Sequence, residues 1–358
     1  MGIFKDMLGS DESLFRDTVA LDYSFIPKLI PYREKEQFHV AGCIKPLFQK
    51  RNGKNVLIHG KPGVGKTVAC RHVLKELDEE TDEVIPIYIN CWQKNTTYKI
   101  VMDICENVIN YRLTHNKKTD ELFKKIKSFL NQTSVVIVLD EVDKLEDNDF
   151  LYQVLEEIYR KTIIMITNHK EWLTDLDQRI KSRLMPETLE FKEYNSQEIK
   201  GILKDRLKYA FVPGVWNPDA FEIAAKTSSE YGDVRTGLYL LREAGNLAED
   251  DASKKIFKEH VDKAMLKMDD FKTKKTDDIE DDETKMILAI VKENSGKKIG
   301  DLYKIFDEKG GGSVYKTFQR KIAKLEENNF ISTKKIVGGI DGNTTIVYYS
   351  ETKKLSDF

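Results

Sequence analysis

This 358-residue chain contains one motif that strongly indicates its fold, Gly60-Lys61-Pro62-Gly63-Val64-Gly65-Lys66-Thr67. It matches the pattern G-x-x-x-x-G-K-[ST] at every fixed position. The apolar run Val56-Leu57-Ile58 precedes it, and Ala69, Val73 and Leu77 follow it at helical spacing. Because a strand, this loop and a helix occur in the order that binds phosphate, we predict a phosphate-binding loop rather than an ordinary glycine-rich turn.

The loop residues have the chemistry that a nucleoside triphosphate needs. Glycines let backbone N–H groups turn inward around the β- and γ-phosphates, Lys66 neutralises phosphate charge, and Thr67 offers a hydroxyl to Mg²⁺. ATP or ADP with Mg²⁺ is therefore the predicted cofactor. The nucleotide-binding residues predicted from the motif are Pro62, Gly63, Val64, Gly65, Lys66, Thr67 and Val68.

The segments around the loop predict an α/β fold. Short apolar runs at 85–89, 135–139 and 163–166 alternate with longer segments of helical period. Such nearly continuous apolar strands are typical of a parallel sheet that helices cover on both faces. We therefore predict a nucleotide-binding core with a parallel sheet over residues 1–193.

The rest of the chain divides into three segments. Residues 194–268 are predicted to form a helical domain, because apolar residues recur at helical spacing after a capping box that starts at Asn195. Residues 269–283 hold eight acids, three lysines and almost nothing apolar, and are interpreted as a linker. Residues 284–350 show three helices and a hairpin turning at Asp341-Gly342-Asn343, the order of a winged helix-turn-helix domain.

Polar side chains end two of the predicted strands. Asp140 and Glu141 follow the run 135–139, at the end of the sheet where open α/β sheets place ligands. Asp140 is the expected magnesium partner with Thr67, and Glu141 is placed to polarise a water for attack on the γ-phosphate. Asn168 ends the next strand and could orient that water or touch the γ-phosphate. Solvated strand-end polar residues are the alternative interpretation.

Composition narrows the class of protein. The chain has 58 Lys+Arg, 60 Asp+Glu and a formal net charge of -2, so any nucleic-acid surface must be local. Its apolar runs are far shorter than a bilayer span, and its N-terminus has no signal-peptide pattern, so we predict a cytoplasmic protein. Cys43, Cys70, Cys91 and Cys105 form no C-x-x-C pair, so spacing suggests buried apolar residues rather than a disulfide framework or a zinc site.

The motifs taken in order resemble those of an AAA+ ATPase. Besides the phosphate-binding loop, the resemblance rests on V-I-V-L-D-E-V-D at 136–143, Thr167-Asn168, 180–184 (I-K-S-R-L) and Gly232-Asp233-Val234-Arg235. The fold implied is an AAA+ P-loop ATPase core with an α-helical lid domain and a C-terminal winged helix.

Within that class the chain resembles the archaeal origin-recognition, or replication initiator, family. Pro31-Tyr32-Arg33-Glu34, Asn90-Cys91 and the C-terminal winged helix carry this resemblance, which covers roughly residues 20–350. It implies a slow ATPase that binds double-stranded origin DNA, uses ATP mainly as a conformational ligand and helps load the replicative helicase. The resemblance also implies other initiator subunits as partners and a location at the nucleoid.

The resemblance also implies roles for single residues. The segment around Arg33 would lie near the adenine, and Tyr194 and Arg206 match residues at the nucleotide site. Arg235 would be the lid arginine that reaches the phosphates. Arg183 occupies the position of an arginine finger supplied to a neighbouring subunit, a role that nearby Arg179 could take instead.

A DNA-binding surface is predicted in the C-terminal domain. Between Ser313 and Lys335 there are six Lys/Arg and two acids, and one face of the third helix is basic while the other is apolar. Such a helix can enter the major groove, and the hairpin can reach phosphate or the minor groove. A solvated charged surface is the alternative. The predicted DNA-binding residues are Thr317, Arg320, Lys321, Lys324, Lys334 and Lys335.

A second contact with DNA is implied by the resemblance alone. In the family, a helical insertion between the second strand and the Asp140 strand touches DNA. Here that stretch is 91–134, with Arg112, His115, Lys117 and Lys118 at a helix–helix connection.

Two other classes of protein share the nucleotide site. A signalling or transcription-regulating P-loop ATPase could use an appended winged helix only for autoinhibition, although the lid motif and the direct attachment of the wing disfavour this. A clamp-loader-type motor would share Arg183 but would need no winged helix. The favoured interpretation is the replication initiator.

Overall fold

The computed structural model describes residues 13–111, 117–277, 282–327, 330–339 and 342–349. Contacts within the chain divide it into two compact units, Met1–Val261 and Asp262–Phe358. None of the described helices combines the length and the apolarity needed to cross a membrane.

The first unit joins a parallel sheet to a set of helices. Its strands are β1 (Val56–His59), β2 (Val84–Asn90), β3 (Ser134–Asp140), β4 (Lys161–Thr167) and β5 (Glu187–Glu190). The helices around the sheet are α1 (Glu34–Ile44), α2 (Lys66–Glu80), α3 (Thr97–Asn107), α4 (Thr119–Leu130), α5 (Asp149–Glu157), α6 (Trp172–Asp175) and α7 (Gln178–Leu184). Short 3-10 helices span Thr18–Leu21, Lys45–Gln49 and Val142–Lys144. The helices after the sheet are α8 (Ser196–Ala210), α9 (Pro218–Tyr231), α10 (Val234–Asp250) and α11 (Lys258–Asp277), in which the boundary between the units falls.

The sheet has the order β2-β3-β4-β1-β5, and all its pairings are parallel. Every residue of β3 is buried. Val135 and Ile137 pack in one apolar cluster, and Val136 and Val138 pack in another, so helices cover both faces as predicted. Because β3, β4 and β1 are neighbours, the polar residues at their carboxyl ends meet at one edge of the sheet.

The helices after the sheet confirm the helical segment read from the sequence. Asn195 Oδ1 accepts a hydrogen bond from the backbone N–H of Glu198 at 2.9 Å, and Glu198 Oε2 accepts one from the N–H of Asn195 at 2.8 Å. This is the predicted capping box. A Cβ at Gly237 of α10 would lie 2.5 Å from a Leu203 methyl carbon, so α8 and α10 pack closely.

The second unit contains a winged helix-turn-helix fold. Its elements are α12 (Asp282–Glu293), β6 (Lys297–Lys298), α13 (Ile299–Glu308), α14 (Tyr315–Glu327), β7 (Ile331–Gly339) and β8 (Gly342–Tyr349). The strands form an antiparallel sheet in the order β6-β8-β7. Phe306, Phe318, Ile322 and Leu325 are buried in its core, as the predicted apolar stripe requires.

The segment predicted to be a linker is helical in part. Residues 269–277 continue α11, and α12 begins at Asp282, while residues 278–281 lie outside the described residues. The stretch 269–277 has three lysines, which are good helix formers, so an apolar-poor composition argues against a packed core without preventing a helix. The boundaries 1–193, 194–268, 269–283 and 284–350 stay predictions.

Candidate nucleotide-binding site

A cavity of about 970 Å³ lies at the carboxyl ends of β1, β3 and β4. Its wall combines the phosphate-binding loop, the strand ends, the segment 23–31, and residues of α8 and α10. The volume is within the usual range for small-molecule sites. The predicted site residues that line it are Pro62, Gly63, Gly65, Lys66, Thr67, Val68, Asp140, Glu141, Asn168, Tyr194, Arg206 and Arg235.

The backbone conformation and the close surroundings of the two central loop glycines both favour glycine. Gly63 and Gly65 have φ of +79° and +89°. A Cβ on Gly63 would lie 2.2 Å from Asp233 Oδ1, and one on Gly65 would lie 2.6 Å from the Tyr194 hydroxyl. Val64 between them is fully buried. The loop can therefore contact residues of the helical part directly, and α2 begins at Lys66 with its N-terminus on the cavity.

Lys66 is nearly buried at the centre of the site. Its Nζ donates to Gly60 O at 2.7 Å, Lys61 O at 2.8 Å and Asn168 Oδ1 at 2.8 Å. Burial lowers the pKa of Lys66 to about 8, against the opposing attraction of Asp140. The structure thus brings together the loop lysine and the strand-end asparagine that the sequence placed on different elements.

Thr67 and Asp140 also meet. Thr67 Oγ1 donates to Asp140 Oδ2 at 2.8 Å, and the Tyr88 hydroxyl donates to the same oxygen at 2.7 Å. A buried carboxylate beside a hydroxyl is an oxygen donor set that suits a hard cation such as Mg²⁺. Burial, and next the charge of Asp140, raise the pKa of Tyr88. Sequence reasoning missed Tyr88, although its hydroxyl interrupts the apolar run 85–89. Asn90 of the same strand pairs with Asp140, which brings this end of β2 to the site.

Glu141 leaves the strand in an unusual backbone conformation. Its φ is +54° and its ψ is 48°, in the left-handed region that non-glycine residues seldom adopt. Its backbone N–H donates to Asp140 Oδ1 at 3.0 Å, and the residue lines the cavity. The turn thus places Glu141 in the cavity wall next to the Thr67–Asp140 pair.

Arg33 is buried next to the cavity and not in its wall. It is 4% exposed and absent from the cavity wall, which its neighbours Pro31 and Glu34 do line. Its guanidinium lies 3.9 Å from the centre of the Tyr194 ring and donates to Val64 O at 3.0 Å and Lys192 O at 2.5 Å. The segment around Arg33 borders the cavity as expected, but the side chain ties the phosphate-binding loop to the segment that enters α8.

The two arginines assigned to the nucleotide differ in their contacts. Arg206 is buried and donates to the carbonyls of Ala20 at 3.1 Å and Phe25 at 3.2 Å, so it holds the N-terminal segment at the cavity. Arg235 lies at the start of α10, whose N-cap Asp233 accepts from the Arg235 N–H at 2.8 Å. Its positive charge contributes to the lowered pKa of Lys66, and both residues line the cavity.

Arg183 lies apart from the cavity of its own chain. It is exposed on α7, pairs with Glu156, and has its guanidinium 5.7 Å from the centre of the Tyr152 ring. Arg179 is exposed on the same helix. The structure therefore does not bring either arginine to this nucleotide site, and the role toward a neighbouring subunit stays a prediction.

The predicted DNA-binding residues have different environments. Arg320 and Lys324 are exposed on α14, Thr317 is half-buried, and Lys334 is exposed on β7. Lys321 instead has a side chain that is only 18% exposed and lies 2.5 Å from Glu283, so it is less accessible to phosphate than the exposed residues. The residues whose side chains lie outside the described part are Lys335, Arg112 and His115. Lys117 and Lys118 are exposed before α4, and Lys117 pairs with Glu121 at 3.6 Å.

Comparison with known proteins places the chain in a family. Residues 49–207 match the family described as AAA domain, and residues 200–266 match the Cdc6 AAA+ ATPase-type lid domain. The ORC1-type DNA replication protein 1 of Sulfurisphaera tokodaii is 35% identical over 272 residues, which cover 73% of this chain and 68% of that protein. The chain belongs to the family of ORC1-type DNA replication proteins.

Other relatives extend the match over nearly the whole ORC1-type chain. The ORC1-type DNA replication protein 2 of Methanothermobacter thermautotrophicus is 29% identical over 96% of this chain and 94% of that protein. The structure of the Aeropyrum pernix ORC1 protein in complex with DNA has a TM-score of 0.73 and 26% identity, covering 95% of each chain. The chain thus has an AAA+ core with its lid and is a nucleotide-binding ATPase. Its ORC1-type relatives show that it is a DNA replication protein.

Proposed function

We propose that this ORC1-type protein is an ATP-dependent replication initiator that binds origin duplex DNA and helps load the replicative helicase. The main support for this proposal is that the nucleotide site includes lid residues. Asp233 and Tyr194 lie against the loop glycines, and Arg235 lines the same cavity. A nucleotide bound there would contact both the core and the lid. ATP can therefore act as a conformational ligand.

In the proposed reaction, water attacks the γ-phosphoryl group and ADP leaves. Lys66 stabilises negative charge on the phosphates, and Asn168, held by Lys66, lies where it can orient the water. Glu141 accepts the proton of the attacking water. Thr67 and Asp140 would hold Mg²⁺, which when bound supplies further positive charge at the β- and γ-phosphate oxygens.

Arg235 is the proposed link between the γ-phosphate and the lid. It is the second residue of α10, and Asp233 caps that helix while lying against Gly63. A γ-phosphate that attracts Arg235 would therefore favour one position of α10 against the loop, whereas ADP would not. Hydrolysis is expected to be slow, because the site serves mainly as a switch.

The proposed duplex-binding surface is on the winged helix. Phe318, Ile322 and Leu325 fix one face of α14 in the core, so Arg320 and Lys324 lie on the other face. The Aeropyrum pernix ORC1 structure is of a complex with DNA, which supports this assignment. Arg183 is proposed to contact the nucleotide of another initiator subunit, since it lies outside the cavity of its own chain.

The test is fluorescence anisotropy with origin-like and scrambled duplexes, in ATP or ADP, across a salt series. Preference for particular sequences, a nucleotide effect and a steep salt dependence are expected. The absence of duplex binding in both nucleotide states would favour the signalling or transcription-regulating ATPase, with the winged helix as a protein-binding module. Lys226→Ala, which removes an exposed lysine of α9, is the charge-matched control.

A further inference from the structure

A second cluster of side chains lies away from the nucleotide cavity, between α1 and the edge strand β5. His39 and Cys43 are one helical turn apart on α1, and Glu187 is the first residue of β5. His39 Nε2 lies 3.1 Å from Glu187 Oε2, and Cys43 Sγ lies 3.8 Å from the same oxygen. All three atoms are within 4.8 Å of one another.

These separations suit coordination of one small cation. Zinc binds nitrogen and oxygen at about 2.0 Å and sulfur at about 2.3 Å in a tetrahedron, so neighbouring ligand atoms are about 3.3–3.6 Å apart. The distances from Glu187 Oε2 fall on either side of this range. Imidazole, thiolate and carboxylate are the three ligand types that zinc sites use.

Two further observations support metal binding by this cluster. His39 Nε2 is buried and makes no hydrogen bond with a described residue, even though a carboxylate oxygen is nearby. A buried ring nitrogen without a hydrogen bond destabilises the folded protein, unless another partner such as a metal ion uses its lone pair. Lys54 Nζ donates to the other carboxylate oxygen, Glu187 Oε1, at 2.8 Å. This contact fixes the carboxylate with Oε2 toward His39 and Cys43, as outer-shell partners do at metal sites.

We propose that His39 Nε2, Cys43 Sγ and Glu187 Oε2 bind Zn²⁺, with the fourth position open to water. The His39 and Glu187 side chains are 37% and 38% exposed, so a metal ion can enter from solvent, while Cys43 is buried behind them. The bound ion ties α1 to β5. Sequence spacing suggested no zinc site because the ligands include one cysteine, not a cysteine pair, and Glu187 is 144 residues from Cys43.

The test uses the full chain, stripped with a chelator and titrated with Co²⁺ as a spectroscopic probe for Zn²⁺. A sulfur-to-cobalt charge-transfer band should grow to one equivalent per chain and disappear when Zn²⁺ is added. Carboxylates and hydroxyls cannot produce this band, so Thr67 and Asp140 do not contribute to it. Zn²⁺ should also raise the midpoint of thermal unfolding, because it binds the folded site preferentially.

The variants decide which side chains bind the metal. Cys43→Ser should abolish the band, while His39→Ala and Glu187→Gln should weaken Co²⁺ binding at least about tenfold. Cys105→Ser, which removes a buried cysteine of another core cluster, should keep the wild-type band. His39→Ala is the decisive variant if Cys43→Ser does not fold, since His39 is partly exposed on a helix.

Two results would overturn the proposal. One is the absence of a thiolate band in the stripped wild-type chain. The other is an unchanged Co²⁺ affinity in folded His39→Ala. In either case, the cluster would be only an ion-pair network in which Lys54 and His39 surround Glu187.

Discussion

Lys66 has a positive charge that its folded surroundings disfavour. It is 7% exposed, and burial lowers its pKa to about 8 from 10.5. The unfolded chain therefore keeps this proton to higher pH than the folded chain does. The resulting destabilisation is complete below about pH 8, and stability recovers as the pH rises toward 10.5. Bound phosphates would reverse the preference, because they stabilise the ammonium form.

Nucleotide affinity should consequently fall as the pH rises through the pKa of Lys66. Above that pH, phosphate binding must restore the proton, so the affinity is expected to drop by up to about tenfold per pH unit. A fluorescent ATP analogue titrated between about pH 7 and pH 9.5 measures this. Lys66→Arg is the control, because arginine stays charged throughout. Lys66→Ala should abolish binding, and equal pH profiles of the wild-type and Lys66→Arg proteins would contradict the assignment.

Glu141 should be needed for turnover but not for ATP binding. Its strand-end turn places it beside the Thr67–Asp140 pair, where a carboxylate can take a proton from water. Glu141→Gln is therefore expected to bind ATP normally and to hydrolyse it at least about 100-fold more slowly. Phosphate release under single-turnover conditions measures the step.

A matched variant separates this effect from a simple loss of charge. Glu190→Gln removes an exposed carboxylate at the end of β5, outside the nucleotide cavity. It should leave hydrolysis unchanged. Turnover by Glu141→Gln at the wild-type rate would show that another group activates the water.

The phosphate-binding loop and α10 are in direct contact through Asp233. Asp233 both caps α10 and packs against Gly63, so the start of the lid helix and the nucleotide loop cannot move independently. Arg33 adds a second link, since it joins Val64 of the loop to Lys192 and Tyr194 ahead of α8. Closely packed elements joined in this way shift together rather than deform gradually.

Gly63→Ala should disturb the lid as well as the backbone. The new methyl group would lie 2.2 Å from Asp233 Oδ1 and force the helix cap of α10 to move. We expect a loss of about 1–2 kcal/mol from the positive φ and about 1 kcal/mol more from the cap, together with weaker ATP binding. Urea unfolding and ATP titration measure the two effects.

Gly214→Ala is the matched control for the backbone. Gly214 has a similar φ of +84°, but a Cβ there would meet no atom within 4 Å. This variant should lose only the backbone contribution and keep ATP affinity. Equal losses of stability and affinity in the two variants would mean that the contact with Asp233 is unimportant.

The whole chain has a net charge of -2, and the proposed duplex surface is a small basic region on it. Its strength should lie in phosphate contacts, which release counterions and make binding depend on salt. Arg320 and Lys324 are exposed on α14, whereas the Lys321 side chain is only 18% exposed. These residues should therefore contribute unequally.

Arg320→Ala with Lys324→Ala should weaken duplex binding and lower the salt dependence by about two, one for each lost phosphate contact. Lys321→Ala should change the salt dependence less, while reducing the thermal stability of the winged helix because Glu283 loses a partner. The slope of log affinity against log salt concentration, together with thermal unfolding, distinguishes these effects. An unchanged slope in the double variant would exclude α14 from the interface.

Much of this fold could be predicted from short-range patterns. The G-x-x-x-x-G-K-[ST] motif, the buried run 135–139, the capping box at Asn195 and the winged helix order each express local geometry, such as strand burial, helix capping or turn chemistry. Local geometry depends on residues that are close together in the chain, so it can be predicted from a single sequence. The composition of 269–283 did not indicate that α11 extends to Asp277, because composition shows whether a segment can be buried, and helices need no burial to form.

Motif and periodicity are properties of adjacent positions, so the main strands and helices and the residues that bear the phosphate chemistry could be predicted from the sequence. The folded structure then set which distant side chains meet. It placed Tyr88 on Asp140, made Arg33 a link between the loop and the lid, paired Lys321 with Glu283, and brought Glu187 to His39 and Cys43. Such pairings depend on strand order and helix packing, which place residues far apart in the chain within hydrogen-bond distance.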